Sequence, residues 1–201
     1  MKHMKVKLLS IALVAMMVFV VGCGKPSLEN ERNIYNNHQK LLKRLAPQFE
    51  NFRPFMVKVS AAAFKFVEES KKETDEAKKA EKFVAANKIF SESKLFSNLS
   101  SLDGHFTGLT KDKSELGRRR VLKKHLPKIR SALSKASAAL TEAKAIMTNT
   151  KPTSEEAAIQ QIKQANGVLI SAKSKIRTVK RQTKGKKKSI FKRKKKKKNK
   201  D

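Results

Sequence analysis

Two runs in the second half of the chain place apolar residues at a seven-residue repeat, and this restricts the fold more than any other feature. Leu122, Leu126, Ile129, Leu133, Ala136, Leu140, Ala143 and Met147 advance by 4, 3, 4, 3, 4, 3 and 4. Ala158, Ile162, Ala165, Leu169, Ala172, Ile176 and Val179 advance by 4, 3, 4, 3, 4 and 3. With about 3.6 residues per helical turn, that spacing keeps all members of a run on one helix face, whereas a strand would alternate at every second residue. Ala alternating with larger residues lets two such helices approach closely. Between the runs, Thr148 to Pro152 (TNTKP) is short and helix-breaking, and Thr153 with Glu156 three residues on fits a capping box for the second helix. A link this short makes the helices antiparallel neighbours. Pro127 either kinks the first helix or marks its start.

The rest of the body points the same way. Aromatic residues are only 6% of the chain, Trp is absent, and 7 Gly and 5 Pro are too few for the turns of a β-sandwich or a doubly wound sheet. Leu28 to Ala46 carries Ile34, Leu41, Leu42 and Leu45 at helical spacing, and Pro47 stops it. Phe49, Phe52, Phe55, Met56, Val59, Ala63, Phe66 and Val67 form a second stripe, with Pro54 near the start of its helix. That Phe stripe reads as core, with a lipid pocket as the alternative. Glu68 to Lys79 is almost wholly charged, a solvated helix or an exposed bend, after which Phe83, Val84, Ile89 and Phe90 restore an apolar face. Leu95 to Lys113, with Gly104, Gly108 and several Ser, Asn and Asp, reads as a loop whose Leu99, Leu102, Phe106 and Leu109 pack onto the bundle. The expected fold is all-α: a helical bundle over 28–179 with a C-terminal antiparallel, coiled-coil-like hairpin, then a disordered polybasic tail over 180–201. The seams can close within the chain or between chains.

The N-terminus reads as an address. Met1 to Lys7 holds Lys2, Lys5 and Lys7, and Leu8 to Val21 is a run of 14 residues with only Ser10 polar. Hydrocarbon about 30 Å thick needs roughly 20 helical residues, so the run is short for a spanning helix and suits the core of a secretory signal. Val20-Val21-Gly22-Cys23 follows, with the only Cys of the chain. Here the sequence resembles the bacterial lipoprotein family, although Val20 replaces the commoner Leu. The resemblance implies cleavage between Gly22 and Cys23, a diacylglyceryl group on the Cys23 sulfur and acylation of the freed amine. It implies a signal peptide over 1–22, a lipidated linker over 23–27 and a membrane-anchored, cell-envelope location. That location is the outer membrane in a Gram-negative cell, since Gly24 stands where a retention signal would place Asp, or the outer face of the cytoplasmic membrane in a Gram-positive one. The chain is also similar to lipoproteins that join an outer membrane to peptidoglycan. It departs from those linked covalently through a C-terminal Lys, because Lys200 is followed by Asp201.

Charge supplies the functional expectation. Lys and Arg number 48 against 17 Asp and Glu, a formal net charge of +31. The segment 180–201 holds 14 Lys/Arg and one Asp. Lys184, Lys186, Lys187, Lys188, Lys192, Arg193, Lys194, Lys195, Lys196, Lys197 and Lys198 make a polycation interrupted by Ser189, Ile190 and Phe191. Its self-repulsion predicts an extended tail reaching about 70 Å. A second basic cluster, Lys111 to Arg130, holds nine Lys/Arg against two acids and includes Arg118, Arg119, Arg120, Lys123 and Lys124. Counterion release makes either cluster a binder of polyanions with little reading of sequence. The expected partners are lipopolysaccharide, anionic lipid, peptidoglycan-linked or teichoic polymers. The alternatives are a surface-exposed, adhesin-like binder of glycosaminoglycan or extracellular nucleic acid, and an intracellular nucleic-acid binder. No P-loop, HExxH or thiolate cluster occurs, and His38, His105 and His125 stand apart, so no metal, cofactor or enzyme activity is expected.

Overall fold

The computed structural model describes residues 26–119 and 123–198, with side-chain environments as far as residue 184. Among the described residues six helices follow one another: α1 (Leu28–Leu45), α2 (Arg53–Ser70), α3 (Glu76–Glu92), α4 (Lys94–Arg118), α5 (Leu126–Asn149) and α6 (Glu155–Lys198). Short 3₁₀ turns at Glu50–Phe52 and Lys123–His125 lead into α2 and α5. Among the described residues there is no strand.

Four of these helices start where a side chain accepts from a free N–H of the first turn. Ser27 Oγ accepts from the Asn30 N–H at 3.2 Å, and Asp75 Oδ1 accepts from Ala77 and Lys78 at 2.7 and 3.2 Å. Ser93 Oγ accepts from Phe96 at 3.3 Å, ending α3 and opening α4. Pro54 and Pro127 lie in the first turns of α2 and α5, where a missing N–H is harmless, so Pro127 marks the start of α5. The capping residue of α6 is Ser154, not Thr153: its Oγ accepts from the Ala157 N–H at 3.1 Å. Residues 71–75 form an exposed bend, and the Phe stripe lies in the core, with Phe49, Phe52, Met56, Val59 and Ala63 buried.

The helical hairpin forms, and the α6 seam is buried as its heptads predict, whereas the α5 seam is rotated. On α6, Ala158, Ile162, Ala165, Leu169, Ala172 and Ile176 are all buried. On α5 the buried set is Ile129, Ala132, Ala136, Ala139, Ala143 and Met147. Leu133 and Leu140 lie at its margin and Leu126 is exposed, while Leu122 falls outside the described residues. The helix is thus turned so that its alanines face inward, which suits close packing against α6.

The expected loop over 95–113 is instead the middle of α4, a helix of 25 residues. Leu95, Leu99, Leu102, Leu109 and Leu116 are buried on one side of it and Phe106 packs at the edge. That gain outweighs roughly 1 kcal/mol of helix propensity lost at each Gly. The helix joins both halves of the molecule, packing against α6 on one side and meeting α1 to α3 on the other. Along it His38 of α1 touches Phe96, Arg44 reaches Asp103 and Phe49 meets Phe106. These partners advance together, so α1 runs in the same sense as α4. Gly108 beside Lys173, and Asp112 beside Lys180, show that α6 does as well. The start of α1 and the far end of α6 therefore lie toward opposite ends of the bundle.

The backbone of 180–198 is helical and continuous with α6, and 199–201 lie outside the described residues. Lys is a good helix former, and cations at a helix C-terminus are favoured by its dipole, both of which oppose the repulsion.

Candidate polyanion-binding end of the bundle

Three segments separated in sequence meet where α4 ends, α5 begins and α6 leaves the bundle. The meeting is organised by Lys180. Its ammonium, 18% exposed, pairs with the carboxylates of Asp112 and, at 2.9 Å, Glu115, nearly two turns and about one turn before the end of α4. Burial pulls the Lys180 ammonium toward deprotonation, but the hydrogen bonds and charges of the two carboxylates outweigh it, and its pKa is raised. Glu115 is held below its ordinary value, first by the hydrogen bond from Lys180 and then by its charge, with Lys111 and Arg119 adding to the effect. Both acids of the Lys111–Arg130 cluster are thus engaged by a residue of α6.

The neighbouring cations are left facing water. Arg118 closes the last turn of α4, and the Arg119 N–H donates to Leu116 O at 3.3 Å as the chain turns outward. Lys123 and Lys124 are exposed in the 3₁₀ turn, which is pinned by the buried His125. The antiparallel hairpin sets them level with Arg181 and Lys184, both exposed. Among the described residues no carboxylate lies within ion-pair distance of Arg118, Arg119, Lys123, Lys124 or Lys184. The first turn of α5 carries no acid, so Lys123 and Lys124 sit at the positive end of a helix dipole. Such a placement costs about 0.3–1 kcal/mol per charge and is relieved by an incoming anion.

The structure brings Arg118, Arg119, Lys123, Lys124 and Lys184 to one end of the bundle. Arg120 falls outside the described residues, as do Gly22 and Cys23. Lys186 to Lys188 and Lys192 to Lys198 lie on the continuing backbone of α6, whose side chains are not described there. Sequence reasoning missed Lys173, Arg177 and Lys180 as members of this end. Their spacing of four and three, carried on to Lys184, was the available signal. His105, half-buried on α4, feels that stripe: burial lowers its pKa, and the charges of Lys173 and Arg177 lower it further.

Elsewhere the surface offers less. An open groove of about 630 Å³ lies at the α5–α6 turn, lined by Asn149, Thr150, Lys151, Gln160, Gln161 and Gln164. The amide of Gln161 is already spent on the carbonyls of Ile146 and, at 2.8 Å, Thr150. Among the described residues no three His, Cys, Asp or Glu side chains are grouped to hold a metal ion, and no helix is long and apolar enough to cross a membrane. Comparison of the chain with protein families, with curated proteins and with solved structures finds no match.

Proposed function

We propose that this chain is a non-enzymatic lipoprotein of the bacterial cell envelope, anchored through acyl chains on Cys23, that binds envelope polyanions with its basic bundle end and lysine-rich α6 extension. The observation that carries the reading is the placement of Arg118, Arg119, Lys123, Lys124 and Lys184 toward one end of the bundle, from which α6 continues, with no carboxylate at ion-pair distance from any of them among the described residues. Lys180 supports it by engaging the two acids that would otherwise neutralise that cluster. The polarity of the molecule fits a tether. The start of α1, only a few residues after Cys23, lies toward one end and the basic cluster toward the other. Two or three acyl chains, at about 0.8 kcal/mol per buried methylene, make such an anchor effectively permanent. The basic end then holds phosphate- or carboxylate-bearing polymers by counterion release, with strong salt dependence.

Intact-protein mass spectrometry of the chain made in a bacterium from its own N-terminus tests the anchor. A mass beginning at Cys23 with two or three added acyl chains is expected. A mass beginning at Met1 or Lys2 without lipid overturns the envelope reading and leaves an intracellular nucleic-acid binder. Lipopolysaccharide binding measured against salt tests the other end. Replacing Arg118, Arg119, Lys123 and Lys124 with Gln should weaken binding and flatten the salt dependence; unchanged binding would remove the bundle end from the interface.

A further inference from the structure

Helix α2 is apolar on two opposite sides, and only one of them is used. Met56, Val59 and Ala63 are buried toward α1 and α3. On the outer side Pro54, Val57, Ala61 and Phe64 advance by 3, 4 and 3 and are all exposed, Val57 to 58% and Phe64 to 48%. A surface helix ordinarily turns a polar face to water, so an apolar outer stripe has a use.

Charge identifies its occupant. At about 100° per residue, Arg53 borders the stripe on one edge and Lys58 and Lys65 lie along the other, while Lys71 and Lys72 follow in the turn that ends the helix. All five are exposed. Of the nearby acids, Glu68, in line with the stripe one turn after Phe64, pairs with Lys71 at 2.7 Å and Glu69 pairs with Lys82 at 2.7 Å, while Glu50 shares a groove with Arg53, Pro54 and Val57. Lys58 makes only a long contact of 3.8 Å to Glu155. Lys71 also stands 5.9 Å from the centre of the Phe64 ring. An apolar strip bordered by basic residues is the pattern of a helix lying in a membrane interface, its apolar residues below the headgroups and its lysines among their phosphates. A second copy would oppose basic residues to basic residues, which argues against self-association.

We propose that the outer face of α2 docks flat on an anionic lipid surface through Val57 and Phe64, with Lys58 and Lys65 paired to lipid phosphates. This goes beyond the tether and does not depend on acylation of Cys23. Moving the half-exposed Val57 and Phe64 out of water multiplies partitioning by about fivefold each. Each lysine adds up to about fivefold near a charged leaflet.

The chain has no Trp, so Phe64→Trp installs a single reporter at the C-terminal end of the stripe. The full chain is mixed with phosphatidylcholine vesicles carrying brominated acyl chains, with or without phosphatidylglycerol. Ile170→Trp, at an exposed apolar position on α6, is the comparison, and circular dichroism verifies that both variants are folded. The proposal expects emission from the α2 reporter to move to shorter wavelength and to be quenched by bromine in the anionic vesicles only, with the α6 reporter unaffected. Adding Lys58→Glu and Lys65→Glu to the Phe64→Trp chain should lower the bound fraction of its reporter by tenfold or more. This arrangement reports burial of the α2 face itself, whether or not another part of the chain holds the vesicle. Water-like emission from the α2 reporter, equal quenching of both reporters, equal quenching in neutral vesicles, or a blue shift without lipid that grows with protein concentration would each overturn it.

Discussion

Replacing Gly104 by Ala decides between the helix and the loop for 95–113. Gly104 lies mid-way along α4, exposed, and no glycine among the described residues has a positive φ. A Cβ built on it meets no atom within 4 Å. Ala therefore costs no packing and recovers the helix propensity that Gly forfeits, about 0.8–1 kcal/mol. Part of that gain comes from an unfolded chain with less freedom to lose. Gly108 is the internal comparison: a Cβ there meets Lys173 Nζ at 2.7 Å, so the ammonium must move and the gain should be smaller. Urea unfolding of the full chain followed by circular dichroism is the assay, with the midpoint rising at an unchanged slope. For a chain of this size the melting temperature should rise by about 2–4 °C. A neutral or destabilising Gly104→Ala would refute the helix and restore a turn at this position.

Other perturbations follow from the same packing. Leu169 is fully buried in a seam whose neighbours are largely alanines unable to fill a hole, so Leu169→Ala should cost about 3–5 kcal/mol in urea unfolding. Arg44→Ala strands the buried carboxylate of Asp103, its partner at 2.5 Å, and should cost about 2–3 kcal/mol, part of which Arg44→Ala/Asp103→Ala should recover in a double-mutant cycle. Burial lowers the pKa of His38, whose ring packs 4.8 Å from Phe90, and of His105. The unfolded chain then binds more protons than the folded one as pH falls through the ordinary value of 6.5, and stability should drop there and continue to fall toward the folded pKa values. Denaturant midpoints measured from pH 8 to 5 should show this loss, and His38→Gln/His105→Gln should reduce it.

The hairpin was legible because the seams of α5 and α6 repeat without interruption. In α4 the same repeat runs through Leu95, Leu99, Leu102, Phe106 and Leu109, but Gly104 and Gly108 stand between its members. Local propensity argued for a loop, and burial of the leucines between two halves of the molecule decided for a helix. The stripe on α2 hid a second face for the opposite reason, since spacing alone does not say which of two apolar sides meets the core. The basic residues were readable one cluster at a time. That Lys180 would leave the tail's charge count to engage Asp112 and Glu115 follows only from α4 and α6 running side by side in the same sense. Ser154 took the capping role from Thr153 because α6 starts one residue later than the capping-box spacing suggests.

That shared direction has a mechanical consequence. When the chain is held near the start of α1 and at the end of α6, a pull enters α6 along its own axis. The buried seam from Ala158 to Ile176, about 27 Å of helix, is then loaded in shear, and its contacts resist together rather than parting one after another. Lys180 stands just outside that seam, first in the path of the force, so its two carboxylates act as a brake ahead of the hydrophobic contacts. High salt or acid would release the brake and leave the seam intact.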